Sequence, residues 1–211
     1  MIDFLLKNPS LYRFYQKTVR SKYSEYDLIK FIFSKLESKN IRILDLCCGD
    51  SYVLEYINQY VNDYLGVDYS EKYLNFSKNK WKKFNFLQLD MNNENSIEKV
   101  KSFNPNFIFI NGAIHHLDDK TVISINKFIK EFDQSYFLSV DPINHKNKVI
   151  NKLMIKFDRG KYIRTLEEYK KIMNNIDHLV IDDFYKMSFQ NIFHYKNFDL
   201  SKLYDEWKNS I

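Results

Sequence analysis

Three aspartates, Asp45, Asp68 and Asp90, stand 23 and then 22 positions apart, each at or near the end of a short apolar run. Asp45 belongs to Ile41-Arg-Ile-Leu-Asp-Leu-Cys-Cys-Gly-Asp50, and Asp68 closes Tyr64-Leu-Gly-Val-Asp68. In an open parallel sheet, ligands bind beyond the carboxyl ends of the strands, where an acid after the second strand can accept from both hydroxyls of a ribose. Asp68 is placed for that role, which points to a bound adenosine. A dinucleotide version of this layout needs three glycines in its first turn, because the backbone must approach a pyrophosphate closely. This loop has only Gly49. An acid at Asp45, just before the turn, would repel a pyrophosphate but suits the amino group and sulfonium of S-adenosylmethionine (SAM). Asp90, in Leu87-Gln-Leu-Asp-Met-Asn92, can accept from the exocyclic amine of adenine while Met91 packs on the ring.

A fourth apolar run leads into Asn111-Gly-Ala-Ile-His-His-Leu-Asp-Asp119, which brings His115 and His116 near the reacting end of such a ligand. Histidine can take a proton from a hydroxyl at neutral pH. His115 is the favoured base, with His116 and His145 as further candidates. The histidines show no compact metal spacing such as His-x-x-x-His, so no metal is expected.

The elements that must position these residues alternate along the chain. Strand-like runs cover 41–46, 63–68, 84–89, 106–110 and 135–140; helix-like runs cover 51–60, 70–80, 95–103 and 119–132. Ser70 and Asp119 are candidate N-caps, and Glu71 adds negative charge to a first turn. Helical segments are expected over 10–37 and from Pro142 to Asn175, with Gly160 a candidate C-cap. Two β-rich runs, 178–184 and 189–198, predict an antiparallel hairpin at the sheet edge. Alternation of this kind predicts an α/β fold: a Rossmann-like, doubly wound sheet of seven strands, mostly parallel, with a C-terminal antiparallel hairpin and helices ahead of it.

At 211 residues, with 45% hydrophobic and 28% charged residues, the composition suits one soluble domain. The apolar runs are too short to span a bilayer, and the N-terminus does not read as a signal peptide, so a cytoplasmic location is expected. The only two cysteines, Cys47 and Cys48, are adjacent, which excludes a disulfide framework and leaves them as small residues lining a tight turn or as a redox-sensitive thiol. A net charge of +5 is modest, and its densest cluster is Lys78-Asn-Lys80-Trp-Lys82-Lys83. That cluster reads as solvated surface, so a nucleic-acid partner is not favoured.

Leu44-Asp-Leu-Cys-Cys-Gly, Gly66-Val-Asp-Tyr-Ser, Leu89-Asp-Met and Gly112-Ala-Ile-His-His-Leu-Asp-Asp together resemble the motifs of class I SAM-dependent methyltransferases. Asn8-Pro-Ser-Leu-Tyr-Arg-Phe-Tyr-Gln16 and Asp158-Arg-Gly-Lys-Tyr-Ile-Arg-Thr165 resemble, more loosely, a subgroup of small methyltransferases associated with surface polysaccharide assembly. The first loop departs from the family pattern at Cys48, Asp50 and Ser51. The resemblance implies SAM as cofactor and S-adenosylhomocysteine (SAH) as product. It assigns Asp45, Cys47 and Gly49 to the methionyl end, Asp68 and Tyr69 to the ribose and adenine face, Asp90 and Met91 to adenine, and Asn111 and Ala113 to the sulfonium side. It further implies a single domain over 1–211: a helical lid over 1–40, carrying Tyr12, Tyr15 and Gln16; a cofactor core over 41–141; and acceptor-side elements over 142–211. Asp141, Tyr162 and Arg164 would line the acceptor pocket. The expected reaction is O-methylation of a sugar, nucleotide sugar or related small acceptor. The alternatives are a transfer-RNA methyltransferase and a catalytically idle interaction subunit.

Overall fold

The computed structural model describes residues 22–36, 40–93, 95–144, 160–184 and 190–211. Its strands are β1 (Ile41–Leu46), β2 (Val61–Asp68), β3 (Asn85–Gln88), β4 (Phe107–Asn111), β5 (Tyr136–Pro142), β6 (Asp177–Ile181) and β7 (Asn191–Lys196). The α-helices are α1 (Glu25–Lys35), α2 (Leu54–Ile57), α3 (Glu71–Lys80), α4 (Asp119–Glu131), α5 (Leu166–Ile172) and α6 (Leu200–Ser210). All seven strands join one sheet in the order β3-β2-β1-β4-β5-β7-β6, parallel except for β7, which runs antiparallel to both neighbours. The chain leaves β1 toward β2 on one side and β4 toward β5 on the other. The crevice beyond the carboxyl ends of β1 and β4 is therefore the switch point of the sheet.

The central strands are apolar on both faces because each face has its own core. Alternate side chains point to opposite sides of a strand. Ile43, Phe107, Phe109, Leu138 and Phe193 pack with α1, α2 and α6, whereas Leu44, Leu46, Ile108, Ile110 and Ile192 pack with α4 and α5. Helix α1 starts at a capping box between Ser24 and Asp27 and turns Leu28, Ile29, Ile32 and Phe33 toward the sheet, with the Phe33 ring tilted against that of Phe107 at a centroid distance of 4.6 Å. Helix α4 does the same on the opposite face with Val122, Ile125, Phe128 and Ile129. No helix among the described residues is long and apolar enough to cross a membrane.

Four expectations about elements need correction. The helix expected over 51–60 shrinks to α2, because Ser51 takes a left-handed backbone and β2 begins at Val61. The helix expected over 95–103 is a 3-10 segment, Glu98–Phe103. Ahead of it, Asp90 and Asn93 side chains accept from the backbone of Asn92 and Asn95, drawing the chain into turns. Asp118, and not Asp119, caps α4, accepting from Thr121 N at 2.8 Å. The two C-terminal strands do pair, but β7 inserts beside β5 and β6 alone takes the edge. Ser70 caps α3 as expected. Gly160 falls at the margin of the described residues, and the helical stretch expected before it lies largely outside them.

Gly66, at the centre of β2, has no room for a side chain: a Cβ there would stand 2.8 Å from Phe86, 2.9 Å from Cys48 and 2.9 Å from Tyr64. Gly66→Ala is therefore expected to lower stability by about 1–3 kcal/mol, the cost of overpacking a closed core. Urea denaturation checks this, and an unchanged midpoint would mean that these rings yield freely.

Candidate active site

Asp68 ends β2, and its carboxylate joins two loops. One oxygen accepts from Gly49 N and the other from Ser70 N, both at 2.8 Å. Gly49 reaches it because residues 47–51 form a compact turn. Cys48 N donates to Val67 O, Ser51 N donates to Cys48 O, and Cys47, Gly49 and Ser51 all have positive φ. Glycine adopts that conformation freely, whereas Cys47 and Ser51 hold it at a steric cost. The turn thus keeps a glycine-type shape with one glycine.

Asp45 is buried one residue before the end of β1, and Tyr64 donates to it at 2.5 Å. The register places Gly66 beside Asp45, and the missing side chain is what lets the Tyr64 ring pass to the carboxylate. Burial pushes the Asp45 carboxyl up to about 8; the Tyr64 hydrogen bond opposes the rise and the neighbouring Asp68 charge adds to it. Asp68 is also raised, chiefly by burial and against its backbone donors. The Cys47 thiol is pushed up by burial first and then by the charges of Asp68, Asp45, Asp141 and Asp90. Cys48 is raised for similar reasons. Both shifts disfavour the thiolate, the form that is most readily oxidised.

At the adenine end expected from the sequence, Tyr69 is 72% exposed, Met91 is buried in the core, and Asp90 is exposed, with one carboxylate oxygen held by Asn92. On the other side of the crevice, Asn111 ends β4, and its amide donates to the Tyr26 hydroxyl of α1 at 2.8 Å. Gly112 turns the chain with φ +62°, and Ala113 leads into a 3-10 turn, Ile114–His116.

That turn buries His115 against the end of β5. His115 Nδ1 lies 2.7 Å from Asp141 Oδ1, and the same oxygen accepts from His115 N at 3.1 Å. Burial raises the Asp141 carboxyl while the histidine holds it down, and Asp141 Oδ2 is buried without a hydrogen-bond partner. The ring of His116, which is exposed, lies 4.2 Å from that of His115. Tyr162, 40% exposed, donates its N–H to His115 O at 2.9 Å.

Arg164 needs a correction. All five guanidinium N–H groups are engaged inside the protein: two reach Asp119 Oδ1, and the others reach the carbonyls of Ile114, Leu117 and Tyr162. None is left for an acceptor, and Arg164 clamps the histidine turn instead of offering its guanidinium to the expected pocket. Tyr12, Tyr15, Gln16 and His145 lie outside the described residues. Tyr26 and Tyr64 went unnoticed in the sequence, where 85 and 19 residues separate them from Asn111 and Asp45. Only the glycine of Gly66-Val-Asp hinted at Tyr64.

Residues 43–133 match a family described as a methyltransferase domain. Among solved structures, the chain is similar to the YcgJ protein from Bacillus subtilis, with 18% identity, a TM-score of 0.57, and coverage of 74% of this chain and 70% of that one. It is also similar to a chain in the complex between the Haloferax volcanii Trm112 methyltransferase activator and its methyltransferase, at 12% identity, TM-score 0.60, and 80% and 88% coverage. A third similarity is to DhpI in a complex with SAM and HEP, at 11% identity, TM-score 0.56, and 81% and 84% coverage. No curated protein matches the sequence. At these identities the likeness is one of fold, and the fold is a Rossmann-like methyltransferase fold.

The burial of Asp45 has a cost that depends on pH. Its folded carboxyl keeps a proton up to about 8, whereas the ordinary value is 3.8, so folding takes up a proton between those values. Its contribution to stability therefore falls as pH rises through that window and levels off above it. Asp45→Asn is expected to match the wild type near pH 4 and to exceed it by roughly 1–3 kcal/mol at pH 8. Paired urea titrations across pH measure the difference, and a gap independent of pH would show that Asp45 ionises freely in the fold.

Proposed function

We propose that the protein is a SAM-dependent methyltransferase acting on a hydroxyl of a sugar, nucleotide sugar or related small acceptor, with His115 as the base. The observation that carries this reading is the buried pair of acids at the ends of β1 and β2, Asp45 and Asp68, with Asp68 holding the Gly49 turn through its backbone N–H. Such a site resists a pyrophosphate and favours a cationic ligand with a ribose. The residues fit SAM. A carboxylate oxygen can accept more than one hydrogen bond, so Asp68 can take ribose hydroxyls beside its backbone donors, and the protonated Asp45 becomes a carboxylate once an ammonium group lies near it. Cys47 and Gly49 would flank the methionyl end, Tyr69 and Met91 the adenine with Asp90, and Asn111 and Ala113 the sulfur.

When bound, SAM supplies an electrophilic methyl group on a sulfonium. The protein's own part is to align an acceptor, exclude water and accept a proton. With Nδ1–H donated to Asp141 Oδ1, His115 carries its basic lone pair on Nε2, and the carboxylate stabilises the imidazolium that forms as the acceptor oxygen loses its proton. Asp141 acts here through His115 as a positioning residue. The exposed Tyr162 and His116 stand at the rim where an acceptor would enter, and Tyr12, Tyr15, Gln16 and His145 belong to the same side in this reading. The Lys78–Lys83 cluster supports a transfer-RNA acceptor poorly. It lies between the end of α3 and the start of β3, across the sheet from the site, and Lys80 is paired with Glu55.

Calorimetric titration with SAM and SAH is the direct test: both should bind the wild type and neither should bind Asp68→Ala. A folded protein that binds neither would sink the proposal. Once an acceptor is found, His115→Gln is expected to lower kcat by about 10²-fold or more with SAM affinity kept, and His116→Ala by far less. Asp141→Asn should also lower kcat and shift the acidic limb of the pH–rate profile. Equal effects of the two histidine variants would move the base elsewhere.

A further inference from the structure

Two histidines outside the proposed site meet at the edge of the sheet. His178 of β6 faces His194 of β7 in register, and their Nδ1 atoms are 2.7 Å apart. His194 is fully buried, with the Tyr169 ring of α5 at 4.6 Å. His178 is half-buried, and its ring hydrogen-bonds to the backbone of Met173 at the end of α5. His194 Nε2 is buried without a hydrogen-bond partner, and so is the hydroxyl of Ser139, its register neighbour on β5.

Proton counting decides which charge state the pair can hold. A neutral pair carries two ring protons: one fills the gap between the Nδ1 atoms, and the other can rest on His178 Nε2, leaving His194 Nε2 a bare lone pair. A third proton has to put an N–H on His194 Nε2, where no acceptor meets it, so a buried donor and a charge both go uncompensated. A fourth has to enter the gap, which then holds two donors and no acceptor. The surroundings add to this. Burial and then the Lys170 charge of α5 hold His178 below its ordinary value, with Asp177 of β6 working the other way; burial, His178 and Arg164 hold His194 well below its own. Tyr169, whose hydroxyl is pushed up by burial, and Ser139 are neutral.

Protons therefore enter when the rings part, and β6 is the element free to move: it has one strand neighbour, and its residues 177–180 are exposed or half-buried. We infer that the His178–His194 contact is an acid-sensitive latch that holds β6 on the sheet and releases it as the pH falls below neutrality. Both histidines bind protons more weakly in the fold than in the open chain. The latch thus contributes fully above 6.5, their ordinary value, and its contribution is lost as pH falls below that. The inference is independent of the methyltransferase reading.

Hydrogen–deuterium exchange of the full chain, followed strand by strand from about pH 7.5 to about pH 5 and corrected for intrinsic exchange, tests the latch. Opening of β6 should rise by about tenfold or more over that range, with a slope of log opening against pH that approaches two, while β1 and β2 keep their protection. His178→Gln keeps a donor for His194 Nδ1 and removes one titrating ring, so its slope should approach one. His194→Leu leaves only the half-buried ring and should abolish most of the response. If His194→Leu does not fold, the slopes of the wild type and His178→Gln decide. Protection of β6 that is unchanged in acid, a loss shared equally by β1 and β2, or a slope unaltered in the variants would each overturn the inference.

Discussion

The Asp68 carboxylate accepts from Gly49 N on one oxygen and from Ser70 N on the other, and the surrounding chain is arranged to present those donors. They belong to different loops, one after β1 and one after β2, so a single side chain ties the ends of two parallel strands. The tie requires the register that pairs Asp45 with Gly66 and Leu46 with Val67. A slip of one residue would turn every side chain of a strand to the other face. It would also separate Gly66 from Asp45 and close the space through which Tyr64 reaches the carboxylate. Site geometry and core packing are thus the same constraint on β1 and β2.

Among the described residues, the arginine of the opposite wall is spent inside the protein. Arg164 is the one buried arginine among the described residues, and its direct partner is Asp119 at the helix start. The rest of its donors hold the carbonyls of the turn that carries His115. Its charge bears on Asp141 as a distant lowering influence, behind burial and the histidine. Among the described residues, Asp45 and Asp68 are held by neutral donors, the Tyr64 hydroxyl and backbone N–H groups. A protein that neutralised those acids internally would gain stability and lose its attraction for a cationic ligand, a trade common at functional sites.

The strand-end acids were legible because each closes an apolar run and the runs recur with helices between them. Sequence alone could not decide between Asp118 and Asp119 as the cap of α4. Both can accept from a first-turn N–H, and the choice follows from Arg164, which arrives from 45 residues away and takes Asp119. The same limit hid Tyr26, whose partner Asn111 is reached only when α1 docks on the sheet. The 95–103 segment failed for a local reason: just ahead of it, the side chains of Asp90 and Asn93 accept from the backbone of Asn92 and Asn95 and hold the chain in turns. The C-terminal hairpin was readable as a pair, but its order in the sheet depends on β5 having one open edge, which no pattern within the pair records.

The first loop joins these threads. A glycine-rich turn would relieve the left-handed backbone at Cys47 and Ser51, at positions where the chain accepts the steric cost. Three hydrogen bonds hold it there: Cys48 N to Val67 O, Ser51 N to Cys48 O, and Gly49 N to Asp68. A turn fixed in this way needs little reordering when a ligand arrives, which favours binding by preorganisation. Side chains at 47, 48 and 51 also limit how closely a ligand can approach the backbone. A pyrophosphate needs that approach along several successive N–H groups, whereas an amino acid carboxylate and ammonium need only a few. Strain in the loop and the buried acid before it therefore select against the same ligands, one through shape and the other through charge.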